Sequence, residues 1–326
     1  MPRGRAASQS SPPGPVPAGG VRLVSTYLRR LGLEHPGEPS LAALRELHRA
    51  HVEQVPYEVL DIQLGRPTTV EPRDCARRVV RRRGGYCVQL NGAFSTLLAG
   101  LGYDVRFHRA GVHANPAGPP VSPGAPAPHL ALTVRLDGQE WFVDVGLGDG
   151  LLEPLPLVAG TYQQGPFTFA LSPSTVEPGG WRFDRVSRGS IAGLDIATAS
   201  VGTEDFAEWH PYLATSPESR LVRAVAVMKR DATGADGLMG CLLRRVDADG
   251  RTERELATEA DWYGALVDIF GLDLDDIAPE RRTELWTRVR TAHERWLESR
   301  GRAGAGPASE ATRPERARPA EPEAAK

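Results

Sequence analysis

From Val21 onward the apolar residues recur at three and four. Val21, Leu23, Tyr27, Leu28 and Leu31 form one set, and Leu41, Leu44 and Leu47 with His51 form a second, with Ser40 placed to cap the second helix. The pattern predicts a small helical bundle to about residue 82. A further stripe of Leu90, Phe94, Leu97, Leu98 and Leu101 predicts a helix that opens at Cys87 and stops at Gly100 and Gly102, so the helical region is drawn over residues 21–102. The period then shifts to two. VRFHRAGV, LALTVRLDGQEWFVDVGLG, PFTFALS and GWRFDRVS read as short strands with turn punctuation, giving a β-rich region over residues 103–205. Between His113 and Pro128, six prolines in sixteen residues predict an exposed, extended loop. Residues 206–300 mix the strand RAVAVMK, the hairpin CLLRRVDADGRTEREL and two helices around WYGALVDIF and RRTELWTRVRTAHERWL. The ends, residues 1–20 and 301–326, are rich in Pro, Gly, Ala and charge and lack the large apolar residues that ordering needs.

A chain of 326 residues is long enough for two or three packed units. Its 40% hydrophobic and 25% charged residues and net charge of −2 describe a soluble globular protein without a dominating field, which argues against nucleic acid or an anionic membrane as a partner. No stretch approaches the ~18–20 unbroken apolar residues of a membrane span, and residues 1–20 lack the apolar centre of a secretory signal, so a cytoplasmic location is expected. The three cysteines, Cys75, Cys87 and Cys241, cannot build a disulfide framework, which fits a reducing compartment.

One of these thiols stands out. Cys87 opens a helix, where unpaired N–H groups and the positive end of the helix dipole favour thiolate over thiol. Arg83 adds positive charge just upstream, and Gly84 and Gly85 permit close approach of backbone. Downstream, Asp137-Gly138 sits at a two-residue hairpin turn. In that register Asp144 lies opposite Ala131 and diagonal to His129 on one face of the ladder. A carboxylate beside an imidazole fixes its tautomer and stabilises the imidazolium. Cys87, His129 and Asp144 therefore read as a thiol–imidazole–carboxylate set, a spacing shared by cysteine peptidases, transglutaminase-type enzymes and thiol acyltransferases. The other histidines have no ligand spacing, so no metal is expected.

The motifs RRRGGYCVQLN (81–91), VPYEVLDIQLGRP (55–67), HLALTV (129–134) and VDVGLGDG (143–150) resemble, in order, signature segments of the arylamine N-acetyltransferases, and the likeness runs from about Tyr27 to Leu274. The resemblance implies an α+β fold of three domains: a helical bundle, a β-barrel-like domain and an α/β lid around a transglutaminase-like cysteine-enzyme core. It implies ping-pong acyl transfer through a thioester on Cys87, with His129 holding the proton and Asp144 orienting His129. Acetyl-CoA or another acyl-CoA would be the co-substrate, with no bound cofactor, and an aromatic amine or hydrazine the acceptor. It further implies that Arg83 and Glu58 form an ion pair bracing the Cys87 loop, that Tyr57 and Leu147 line the acceptor pocket, and that Gly146, Gly148 and Gly150 form a turn where backbone approaches coenzyme A. Val59 and Leu147 depart from the family's usual Asn and aromatic, which implies a reshaped acceptor pocket. An amide synthase of secondary metabolism, taking its acyl chain from a carrier protein, would use the same residues, as would a thioester hydrolase. A non-catalytic module that kept the fold would need a broken triad, and all three members are present.

Overall fold

The computed structural model describes residues 18–114, 118–187 and 189–304. The chain begins with α1 (Ala18–Arg30) and α2 (Leu41–Gln54), then a two-residue strand β1 (Tyr57–Glu58), α3 (Leu60–Gln63), α4 (Pro72–Val80) and α5 (Cys87–Gly100). Ser40 caps α2 as the sequence predicts, its side chain accepting from the Ala43 N–H. The α5 stripe is fully enclosed: Leu90, Phe94, Leu97 and Leu98 are each at most 1% exposed. The helix packs on α1 and α4 on one side and on the β-sheet on the other. A helix apolar nearly all round has to sit in the middle of the molecule, and α5 does so with Cys87 at its leading end.

Eight antiparallel strands follow: β2 (Asp104–His113), β3 (His129–Leu136), β4 (Gln139–Val143), β5 (Leu155–Pro156), β6 (Gly160–Gln164), β7 (Phe167–Pro173), β8 (Trp181–Arg185) and β9 (Gly193–Val201). They form one nearly closed, barrel-like sheet in the order β5-β4-β3-β2-β9-β8-β7-β6. The seam is bridged by a side chain, because Gln164 at the end of β6 accepts from Leu152 N–H and donates to the Glu153 carbonyl just ahead of β5. β3 is buried on both faces: Leu130, Leu132 and Val134 join the helical core, while Ala131 faces Phe142, Phe169 and Phe183 inside the barrel. Alternation in HLALTV thus served two cores rather than one core and solvent.

The chain continues through short helices α6 (Glu204–Ala207), α7 (His210–Thr215) and α8 (Arg220–Arg223), strands β10 (Ala226–Arg230), β11 (Gly234–Met239), β12 (Leu242–Asp247) and β13 (Gly250–Glu255), and helices α9 (Glu259–Asp268) and α10 (Pro279–Gly304). The second sheet runs β1-β10-β11-β12-β13. Its edge strand β1 comes from the helical region, with Tyr57 opposite Met228 and Glu58 opposite Val227. A strand of two residues carries no period, so nothing in the hydrophobic pattern announced it. The fold is α+β.

Two expectations need correction. Part of the expected tails is helical: α1 starts at Ala18, and α10 runs on to Gly304, through Gly301. Residues 1–17 and 305–326 lie outside the described residues. The proline-rich segment, of which 115–117 lie outside the described residues, is no free-standing loop. Val121 N–H donates to the ring of His113, Arg109 donates to the Pro123 and Ala125 carbonyls, and Pro123 is buried. The carbonyls that proline leaves available are met by arginine from β2, so the segment lies across that strand as a strap.

Candidate active site

Cys87 occupies the first turn of α5, where Tyr86 precedes the helix in extended conformation. Two side chains hold this end. Gln89 accepts from the Tyr86 N–H at 3.2 Å and donates to the Thr69 carbonyl at 2.8 Å. A glutamate could take the first bond but would meet the Thr69 oxygen with like charge. The Tyr86 hydroxyl lies 2.9 Å from Nδ1 of His210, whose Nε2 lies 2.9 Å from the Thr68 carbonyl. A carbonyl can only accept, so Nε2 carries the proton and Tyr86 donates to Nδ1.

His129 opens β3, and Asp144 follows β4 one residue past its end, in the register fixed by the Asp137-Gly138 turn with both residues at positive φ. Nε2 of His129 and Oδ2 of Asp144 are 2.6 Å apart, both residues at most 2% exposed. Burial by itself would lower the imidazole pKa, but the Asp144 carboxylate and the Cys87 sulfur outweigh it and take the group up to about 10. With Nε2 given to Asp144, Nδ1 is the nitrogen left for the thiol. The three sequence-predicted residues are therefore brought together.

Asn91 was missed. Fully buried on α5, four residues after Cys87, it donates to Oδ1 of Asp144 at 3.0 Å and to the Leu130 carbonyl at 2.6 Å, and accepts from Val145 N–H at 2.9 Å. Gly146 N–H supplies Oδ1 with a second bond at 2.8 Å. The available signal was a polar residue one turn from the cysteine inside an otherwise apolar stripe. Gly146 itself packs on the backbone of Cys87: a Cβ there would stand 2.8 Å from the Cys87 carbonyl oxygen and 2.9 Å from its Cα.

The expected Arg83–Glu58 pair is present only as a long contact within a larger cluster. Glu58 takes its main salt bridge from Arg78 at 3.1 Å and accepts from Leu60 N–H, with Arg83 only within 3.8 Å. Arg83 instead meets Asp61 at 3.0 Å and Asp276 at 3.1 Å, and Arg78 reaches Asp61 as well. Burial opposes ionisation of Asp61, but Arg83 and Arg78 hold its carboxyl below the usual range. Glu58 lies in β1 and its shorter ion pair goes to Arg78 on α4.

Cys87 and His129 open on a cavity of about 960 Å³ that Tyr57, Gly146 and Leu147 also line, and that extends between α8, β10–β12 and one face of α10. Gly148 and Gly150 do not line it. Gly148 packs between Tyr57 and Met228, and Gly150 against Leu147. Val59 is likewise sealed in the helical core, 2% exposed, so of the two departures only Leu147 touches the cavity.

A family model described as N-acetyltransferase matches residues 40–278. The chain belongs to this N-acetyltransferase family. The acetyltransferase is 32% identical to the arylamine N-acetyltransferase of Mycobacterium bovis over 283 residues, 82% of this chain and 94% of that one. It is 37% identical over 147 residues to the arylamine N-acetyltransferase / N-hydroxyarylamine O-acetyltransferase of Salmonella typhimurium, where it spans 44% of this chain and 50% of the relative. In three dimensions it is similar to the arylamine N-acetyltransferase of Mycobacterium marinum solved in complex with CoA, with a TM-score of 0.73, 28% identity, and coverage of 82% of this chain and 99% of that one. Among the described residues of this acetyltransferase no group of His, Cys, Asp and Glu could hold a metal ion, and no helix is long and apolar enough to cross a membrane.

Proposed function

We propose that this acetyltransferase moves an acyl group from an acyl-CoA thioester to an aromatic amine or hydrazine by a ping-pong route through Cys87. The observation that carries the reading is the Cys87–His129–Asp144 chain opening on a single cavity. In the resting pair, His129 holds the proton and Cys87 is thiolate. The thiolate attacks the thioester carbonyl, and a new C–S bond forms. The tetrahedral intermediate collapses by breaking the bond to the coenzyme A sulfur, which leaves with the His129 proton as free thiol. The amine then attacks acyl-Cys87 and gives a proton to the now neutral His129. Collapse releases the amide and regenerates the thiolate and imidazolium. Donor and intermediate are both thioesters, so the first exchange is nearly isoenergetic. Asp144 keeps the ring in the tautomer that presents Nδ1 to the sulfur. Tyr57 and Leu147 wall the acceptor's position, while Glu58, Arg83 and Gly146 hold the loops around the nucleophile. We place these events at the centre of a three-part molecule, with helical bundle, barrel-like domain and α/β lid around a transglutaminase-like core, working in the cytoplasm with its three thiols free.

Intact-protein mass spectrometry after incubation with acetyl-CoA alone, followed by a chase with a simple arylamine, tests this. The expected result is one acetyl adduct, lost from Cys87→Ala and chased into acetylated amine. Transfer by a folded Cys87→Ala protein would overturn the reading. A carrier-bound acyl chain that loads Cys87 where acetyl-CoA does not would identify the amide synthase, and decay of the adduct unaffected by saturating amine would identify a hydrolase.

A further inference from the structure

Tyr86 is the residue through which the chain enters α5, and it is fixed at three points. Its N–H donates to Gln89 Oε1, its carbonyl accepts from Leu90 N–H at 3.0 Å, and its hydroxyl donates to Nδ1 of His210 at 2.9 Å. The first two bonds belong to the start of the helix itself. The third comes from far away in sequence, because His210 lies on the connector of short helices between β9 and β10. There the imidazole bridges two segments: its Nε2–H also reaches the Thr68 carbonyl at 2.9 Å and the Thr68 hydroxyl oxygen at 3.1 Å. The rings of Tyr86 and His210 lie parallel, with planes at 2° and centroids 6.0 Å apart. Tyr86 is 1% exposed. Burial, and after it the neighbouring Cys87 sulfur, push its phenol above the usual range, so it keeps the proton that Nδ1 accepts.

These anchors oppose different rotations. A peptide N–H held by Gln89 and a ring tip held by His210 stop Tyr86 from turning about its N–Cα bond, and the bond to Leu90 stops it from turning about Cα–C. Without His210 the ring keeps its packing but loses the directional hold on its tip. Cys87 is the next residue, so any such turn moves its sulfur relative to His129, which stands on a separate element, β3. A shift of that kind costs more in rate than one hydrogen bond costs in stability. We infer that His210 is a positioning residue for Cys87, acting through the Tyr86 hydroxyl. The same connector carries residues 220–226 of the cavity wall, so the tie couples that wall to the start of α5. The inference rests on the acyl-transfer reading for what Cys87 does once it is placed.

Two histidine variants separate the two ends of the bridge. His210→Asn offers an amide oxygen near the place of Nδ1 and still accepts from Tyr86, whereas His210→Gln reaches toward Thr68 and gives up Nδ1. Single-turnover acylation of Cys87 by acetyl-CoA should slow by about 10- to 100-fold in His210→Gln, with the half-saturating donor concentration unchanged, and stay within about threefold of wild type in His210→Asn. Tyr86→Phe, which removes one oxygen, should lose as much as His210→Gln, and the double variant no more than either. A purely structural tie would lower the urea midpoint and leave the rate of the folded enzyme alone. That result, additive losses in the double variant, or equal losses in His210→Asn and His210→Gln would overturn the inference. Alkylation of Cys87 by iodoacetamide, read by peptide mass spectrometry with the buried Cys75 and Cys241 as references, needs no acyl transfer. A sulfur moved away from His129 is less fully ionised at neutral pH and should alkylate more slowly. Slower alkylation in His210→Gln, restored in His210→Asn, in a protein that no thioester acylates would support the positioning role and overturn the acyl-transfer reading. Alkylation unchanged in His210→Gln would overturn the positioning role.

Discussion

Asp144 spends its two oxygens on different tasks. Oδ2 meets His129, while Oδ1 is held by Asn91 and the Gly146 N–H, so the carboxylate cannot rotate without breaking two bonds. Asp144→Asn would put either an amide oxygen or an amide NH2 against His129. The wrong tautomer that follows in triad enzymes costs about 10⁴-fold in rate, and a loss of that order in acyl transfer is expected here, measured as acylation of Cys87 under single turnover. Asn91→Ala leaves Oδ1 with the Gly146 N–H alone and removes the side-chain donor to the Leu130 carbonyl. A displacement of the ring by an ångström is enough for about a 10²-fold loss, with the loss in kcat rather than KM. Asn91→Asp separates position from packing: it keeps the volume but sets a second carboxylate 3.0 Å from the first, and should fare no better. Cys87, His129 and Asp144 were legible because each residue type advertises its chemistry. Asn91 was not, since an asparagine gives no sign of which backbone and side-chain partners it will tie together.

At the scale of elements, the site depends on three pieces of chain that touch through glycine. The Gly84 backbone lies against the Pro56 carbonyl, the Glu58 N–H donates to the Gly85 carbonyl, and Gly146 lies on the first turn of α5. Gly146→Ala should push the Asp144 turn away from Cys87. Its overpacking cost of roughly 1–3 kcal/mol in urea unfolding should be accompanied by a much larger loss of acylation, because the same shift separates the Asp144 carboxylate from Cys87. Gly84→Ala should show the opposite balance. The Cβ would collide with backbone between β1 and the Arg83 loop, and stability should fall before chemistry is even reached. Element identity was readable where the period was long, as in α2, α5 and the β3–β4 hairpin. It failed for β1, β5 and the short helices α6–α8, whose few residues are placed by partners distant in sequence. The proline-rich segment was misjudged for a related reason: composition reports what a segment cannot do for itself, not what Arg109 and His113 on a neighbouring strand do for it.

For the whole molecule, buried histidines set opposing pH limits. Burial drives His48 down to about 4, and His51 well below its usual value, so both stay neutral in the folded state. Their contribution is present above the unfolded value of about 6.5 and is lost as pH falls toward 4. His129, raised to about 10, works in reverse: its contribution is full below about 6.5 and disappears as pH rises through 10. Thermal unfolding should therefore be most resistant near neutrality and fall on both flanks. His129→Gln should flatten the alkaline flank alone, and His48→Gln the acid one. A symmetrical effect of either substitution would disconnect these groups from the profile.

The pairing of β1 with β10 has a bearing on how ligands come and go. Gly85, Tyr57 and Met228 lie on adjoining backbones, so a continuous ribbon of amide contacts runs from the loop before Cys87 into the far sheet. A hinged door would have to unzip that ribbon, and with it disturb Cys87, at every turnover. Traffic is better served by a fixed corridor, entered and left by way of its existing opening. In a corridor that both substrates share, the second must wait for the first product to leave, and the covalent deposit on Cys87 proposed above would let the acyl group stay behind.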